Sequence, residues 1–553
     1  MNVLSTILPA RVYDEALVAF RSKNALYVSV ALAAVLVFKI ARNASRRKIS
    51  TTRLPGPPSP SFIYGVAKDT MESSDPGSIY EEWMKEYGVA FEVPAALGRR
   101  TIMLFDPKAL QHYYARETWT YISLPSARAA MHRTTGKSVL WAIGEDHRRQ
   151  RKSLTPAFSH AAIRKLTPIY YDSAYKTRAA WEAVIDASNG DSAIIEVQNW
   201  MNHISLDSIG LAGFSYDFGS LEGKTTPVMT VLDTLGSSPS RSMLNVGFFV
   251  LSQVITALVY YPTKRNLLMK EIQQELSKIS SELIDKTRKE KEAGILDGKE
   301  EKSVIGLLIK AEDSDASLHM THEEVVSQMK ILLLAGYETT STVLSWALLE
   351  LARNPDIQTK LRTELQAFSG EPNYDQLNNN LPYLDAVVHE TLRLRSPVNE
   401  LVRVATEDDV IPLSEPVRTR SGELVDSISV AKGTRVGISV AGMNRSSAVW
   451  GPDAKVFRPE RWLEEDGIPK RAQEIQAYRH LLTFSDGPRT CLGKGFALAE
   501  LKTVLCVLVK AFVFEMRDGP NTKVELGRGL LPRPKIAGEV GTKLPLRVKR
   551  YEG

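Results

Sequence analysis

Cys491 stands in the stretch FSDGPRTCLGKGFALAE, residues 484–500, whose composition suits a thiolate. It follows a Gly-Pro turn at Gly487-Pro488 and precedes Gly493 and Gly495, at the start of an apolar segment with helical period. Glycine lets the backbone turn tightly and come close to a large flat object. A sulfur near a helix N-terminus has backbone N–H donors aimed at it, which favours thiolate over thiol and tunes the potential of a bound metal. Arg489, on the same loop, can reach an anionic edge. One thiolate beside a flat anionic ligand points to heme. The second and last cysteine, Cys506, lies on the apolar segment that follows and reads as an inert core residue. Two cysteines exclude a disulfide framework, and the absence of a C-x-x-C pair argues against structural zinc.

Four other stretches carry polar groups where an ordinary core would not. In AGYETTS, residues 335–341, Glu338 and Thr339 place an acid and a hydroxyl in an apolar helix, where burial is costly without partners. Two readings are open: Thr339 bonds back to a carbonyl while Glu338 meets a remote arginine, or the two handle protons. Glu390-x-x-Arg393 is an i,i+3 pair that alone says little. In GEDHRRQRKSLTPAF, residues 144–158, His147 and Arg151 lie one helical turn apart within a basic run that includes Arg148, Arg149 and Lys152. Arg403 follows in LRLRSPVNELVRVATEDDV, residues 392–410.

Phe484, Gly487, Arg489, Cys491 and Gly493 match F-x-x-G-x-R-x-C-x-G, and the chain resembles the cytochrome P-450 family over roughly residues 54–548. The resemblance implies heme b (iron protoporphyrin IX), with Cys491 as axial ligand of the iron, Phe484 beside the sulfur and Arg489 on a propionate. AGYETTS resembles the family's A-G-x-[DE]-T segment: Ala335 and Gly336 would leave room for dioxygen, Thr339 would organise hydrogen bonds during oxygen activation, and Glu338 would relay protons. Glu390, Arg393 and Arg461 would form a buried structural triad, with Trp462 where the family has Phe. His147 and Arg151 stand where W-x-x-x-R is usual, a variant associated with fungal members, and would meet a propionate, as would Arg403. Residues 398–402 would line the distal pocket. Asn399 and Glu400 depart from the apolar norm there, and either face solvent or recognise a polar group on the substrate.

These groups need a scaffold, and the sequence supplies one. Thr321 with Glu324 fits a capping box opening a helix that runs to Arg353, where Asn354-Pro355 stops it. About 32 residues at ~1.5 Å each give roughly 48 Å, the width of a large domain. Further helices are predicted over 382–395 and from Gly495 to about Phe514, and a strand over 434–440. A chain of 553 residues suggests several domains. Yet His147 and Cys491 must meet at one cofactor, so the expected fold is mainly α with small β-sheets, the cytochrome P-450 fold, in one catalytic domain over 61–553.

Residues 24–38 carry no charge, and with Lys39 snorkelling the apolar run reaches Ala41, so a transmembrane helix is expected over 24–41. Residues 1–23 would be a short lumenal N-terminus and 42–60 a basic flank and proline-rich hinge. That places the protein as a single-pass endoplasmic reticulum membrane protein with a cytosolic catalytic domain. The net charge of +6 is too small to argue for nucleic acid. The expected activity is insertion of one oxygen atom of O2 into a lipophilic substrate: a terpenoid, sterol, fatty acid or aromatic. Electrons would come from NADPH through a cytochrome reductase or a b-type cytochrome, and the setting would be secondary metabolism or detoxification. The rivals are a heme–thiolate isomerase or dehydratase acting on peroxides, and a non-catalytic heme binder. Intact Thr339 and an undistorted thiolate loop argue against both.

Overall fold

The computed structural model describes residues 49–227, 229–230, 243–293, 303–312, 318–528, 531–539 and 541–552. In chain order, the first part runs α1 (Pro76–Tyr87), β1 (Ala90–Pro94), β2 (Arg100–Leu104), α2 (Pro107–Ala115), β3 (Tyr121–Ser123), α3 (Pro125–Thr135), α4 (Gly144–Leu154), α5 (His160–Ala187), β4 (Ser192–Glu196) and α6 (Val197–Phe214). After these come α7 (His322–Arg353), α8 (Pro355–Ala367), α9 (Pro382–Leu394), β5 (Glu400–Ala405), β6 (Asp409–Arg418), β7 (Leu424–Val430) and β8 (Arg435–Ser439). The chain closes with α10 (Lys494–Ala511), β9 (Phe512–Met516), β10 (Val524–Arg528), β11 (Pro532–Ile536) and β12 (Pro545–Arg550).

The helix α7 is the axis of the fold. Its capping box forms as the sequence predicts: the Thr321 hydroxyl accepts from Glu324 N at 3.3 Å, and the Glu324 carboxylate accepts from Thr321 N at 2.9 Å. Its second half is buried all round, packing on α6, α9 and α10. A helix apolar on every face must be enclosed by others. Proline at N1 opens α8 and α9, where the missing N–H has no helical acceptor to lose.

The strands form four small sheets, in orders β1-β2-β8-β5-β3, β4-β12-β9, β6-β7 and β10-β11. Only β2 and β8 run parallel among the described pairs. In the five-stranded sheet, Arg403 lies opposite Ser123 on β3 and Val436 on β8, so this register sets where its guanidinium starts. Ahead of α1, the extended segment is tied to the body: Thr52 N donates to Ser429 O at 2.9 Å, Glu92 N to Pro55 O at 2.9 Å, and Leu54 is fully buried.

Two expectations are corrected. The last helix does not reach Phe514. It stops at Ala511, because Phe512, Phe514 and Met516 alternate on a strand that pairs with β12. The transmembrane anchor, and with it the membrane partner and the endoplasmic reticulum placement, is not supported: among the described residues no helix is long and apolar enough to cross a membrane. The segment 24–41 assigned to that anchor lies outside the described residues.

Candidate active site

Cys491 lies between a single-turn helix and α10, with its amide donating to Phe484 O at 2.8 Å. Gly487 makes this loop possible. Its φ of 64° suits glycine, and a Cβ there would run into the backbone of Tyr114 at the end of α2. The Cys491 side chain has accessible surface, yet burial raises its thiol above the ordinary range while the Gly493 amide, Arg151 and Lys494 pull it down. Accessible area together with strong desolvation means that the sulfur lines an internal space. Ala335 is likewise exposed in the middle of the buried α7, with Gly336 and Thr339 half-buried beside it.

Basic groups from four elements converge near this loop. Arg489 donates from Nη2 to Thr118 Oγ1 at 2.9 Å and to the Ala142 carbonyl, and its Nε is buried without a partner. Burial pushes the Arg489 guanidinium down to about 10; Glu117 opposes the shift, while Arg403, Arg128 and Arg151 add to it. His147 on α4 is buried, and burial, then Arg489 and Arg151, push its imidazole down to about 3, so it is neutral. Arg151, one turn on, donates to Thr490 O at 2.6 Å and so braces the residue next to the thiol. Arg403, Arg128 and Arg151 thus gather around Arg489, and the carboxylate facing Arg489, Glu117, holds Arg403 at 2.7 Å. Such an interior excess of cations calls for anions.

The rest of the basic run divides. Arg149 pairs with Glu324 at 2.6 Å, and the buried Gln150 donates to the same carboxylate at 2.8 Å. Arg148 and Lys152 remain exposed.

On α7, Thr339 donates to Ala335 O at 2.8 Å. Glu338 is buried in an ion pair with Arg533 on β11 and also accepts from Leu531 N at 3.3 Å. This geometry is the first of the two readings open for AGYETTS. A Cβ on Gly336 would lie 2.8 Å from Ile209 of α6, so this glycine serves the approach of two helices. Glu400 accepts the buried Tyr80 hydroxyl at 2.7 Å, on the strand face opposite to Arg403.

Glu390, Arg393 and Arg461 are brought together in the core. Arg393 grips Glu390 through Nε at 2.9 Å and Nη2 at 2.8 Å, with Arg461 Nε at 3.6 Å. Trp462 adds a donor that phenylalanine would lack, Nε1 to Glu390 Oε2 at 3.0 Å. Cys506 is buried on α10, where desolvation pushes its thiol up to about 11, the state of an inert cysteine. Sequence reasoning missed Glu117, Arg128 and Arg533. None of the three sits in a recognisable spacing, and each acquires its partners only through the fold.

This donor set fits heme: a thiol lining an internal space, an adjoining cationic cluster with an orphaned guanidinium nitrogen, and a glycine turn that lets the loop close. Comparison with known proteins agrees. A sequence model of the family described as cytochrome P450 matches residues 55–538. Cytochrome P450 monooxygenase claP of Ampulloclitocybe clavipes is 53% identical over 513 residues, covering 92% of this chain and 94% of its own. Cytochrome P450 monooxygenase claO of the same fungus is 52% identical over 514 residues, with the same coverage. Cytochrome P450 monooxygenase 205 of Postia placenta is 35% identical over 545 residues, covering 95% of this chain and 97% of its own.

Proposed function

We propose, from the premise that this chain belongs to the cytochrome P450 family and is one of its heme-dependent monooxygenases, that Cys491 ligates the iron of heme b and that the substrate is a lipophilic small molecule. The observation that carries this reading is the pairing of the Cys491 thiol, at an internal space, with the arginine cluster beside it. Heme bound there supplies the oxidising chemistry: one atom of O2 enters a substrate C–H or C=C bond, and the other leaves as water, with two electrons from NADPH and two protons.

The protein's own groups hold and orient. Arg489 and Arg403 offer charge to the acidic edge of the cofactor, and His147, being neutral, adds a hydrogen bond without further charge. Arg151 fixes the carbonyl of Thr490 and with it the direction of the sulfur. The Thr339 hydroxyl proton rests on Ala335 O, within a half-exposed stretch of α7, and is the group poised to pass a proton toward O2. Glu338 relays a proton only when its ion pair with Arg533 opens. Apolar surface at Ala335, exposed, and at Leu401, half-buried on the Arg403 face of β5, favours a lipophilic substrate. Electrons arrive from a flavoprotein NADPH reductase, for which the exposed Arg148 and Lys152 form part of a basic face.

The test is reconstitution with an NADPH–cytochrome reductase and a panel of lipophilic compounds. NADPH and O2 are consumed together, and a product gains one oxygen atom. Thr339→Ala diverts electrons to peroxide and lowers product per NADPH by about 10-fold or more, in keeping with the loss of one proton-transfer group. Turnover of peroxide substrates with no need of NADPH would refute this reading.

A further inference from the structure

The cluster beside Cys491 contains a carboxylate that the signature residues do not explain. Glu117 follows α2 and is fully buried. Arg403 donates to its Oε1 from Nε at 2.8 Å, and Nη2 lies 2.7 Å from the same oxygen in the ion pair. The other oxygen, Oε2, has no partner, and neither do the Tyr113 hydroxyl nor Arg489 Nε, all three buried. The titratable and charged groups facing Glu117 come from three directions: Tyr113 and Tyr114 on α2, Arg403 on β5, and Arg489 on the thiolate loop.

A buried polar atom without a partner is costly, more so when charged, so three in one place mark a built site. Arginine alone would serve to receive an acidic cofactor edge. A carboxylate placed among those arginines weakens their net charge, so its presence calls for a separate role. Its side-on grip turns Arg403 relative to β5 and fixes the guanidinium. Its negative charge then stays close to wherever the acidic edge is held, in surroundings that screen charge poorly.

We propose that Glu117 is a positioning residue for the cofactor, clamping Arg403 at the heme edge and, when ionised, placing a negative charge there that keeps the iron's reduction potential low. This rests on the reading of the cluster as the heme edge. An anion at the heme edge favours the ferric state through its field, so removing it makes the potential more positive. Burial raises the Glu117 carboxyl, while Arg403 and Arg489 pull it down. With the net shift upward, the carboxyl takes up its proton at a higher pH than an ordinary glutamate.

The experiment is a spectroelectrochemical titration of the heme-loaded wild type, Glu117→Gln and Glu117→Asp from acid to alkaline pH. The glutamine variant has a more positive midpoint potential at the alkaline end of the titration, where Glu117 is ionised, and its curve merges with wild type as Glu117 takes up its proton on lowering the pH. The aspartate variant follows wild type. Equal potentials for wild type and Glu117→Gln at every pH would overturn the proposal. Should Glu117→Gln fail to hold heme, Glu117→Asp decides. Heme retained with the wild-type pH profile supports the charge role, and heme lost there too reduces Glu117 to packing and overturns it. Heme titration of Arg489→Ala and Arg403→Ala tests the underlying reading separately. Unaltered heme affinity in both would remove the heme-edge assignment whatever Glu117 does.

Discussion

Among the single residues of this protein, burial sets protonation, and Glu500 shows it most clearly. It sits fully buried on α10, neither carboxyl oxygen has a hydrogen bond of regular geometry, and only the hydroxyls of Ser205, Ser208 and Thr340 turn toward it. Desolvation pushes its carboxyl up to about 8 from the usual 4.5. The neutral form is therefore the one the fold favours: the stabilisation is full below pH 4.5 and is lost as pH rises through about 8. Integrated over that interval, it is on the order of 5 kcal/mol. Glu500→Gln accordingly removes much of the decline in thermal stability toward alkaline pH. Melting curves with the same pH slope in both proteins would contradict this. At this scale the loop that carries Cys491 was legible in the sequence, because Gly487, Arg489, Cys491 and Gly493 lie within one turn and its flanks. Glu117 was not, since its partner Arg403 is 286 residues away.

Whole elements are held by ionic networks that bridge them, and α9 is the main case. Glu390 accepts from Arg393 on its own helix, from Arg458 N at 3.0 Å and from Trp462 Nε1 at 3.0 Å. Arg393 in turn donates to Asn444 O at 2.9 Å and Ala454 O at 2.6 Å. Thus α9 pins a stretch of chain built only of short helical turns, Val440–Arg445, Ser447–Trp450 and Pro459–Trp462, and the loops between them. Removing one member strands a buried charge, so Glu390→Ala costs about 3–5 kcal/mol. Calorimetry should show the drop, together with poor heme loading. Trp462→Phe loses one hydrogen bond to a charged group, about 1.5–3 kcal/mol, and stays folded. An unchanged melting temperature in Trp462→Phe would show that this donor is redundant. The helices themselves were readable, because the Thr321 capping box and the prolines at 355 and 382 act locally. The end of α10 was not: Phe512 and Phe514 continue an apolar run, and only pairing with β12 makes it a strand.

In the whole molecule, topology assembles the site from distant parts of the chain. Arg489 and Thr118, 371 residues apart, share a hydrogen bond, and Arg533 reaches back to Glu338 across 195 residues. No local pattern carries such pairings. The expectation of one domain, not several, rested on the need for distant motifs to share one cofactor. The central claim is that Cys491 supplies the thiolate of a heme enzyme, and the reduced, CO-bound difference spectrum tests it most directly. The account predicts a Soret peak at the thiolate-ligated position in wild type and its absence in Cys491→Ser, with Cys506→Ser unchanged. A folded, heme-loaded wild type without that peak, or a Cys491→Ser variant that keeps it, would contradict the account.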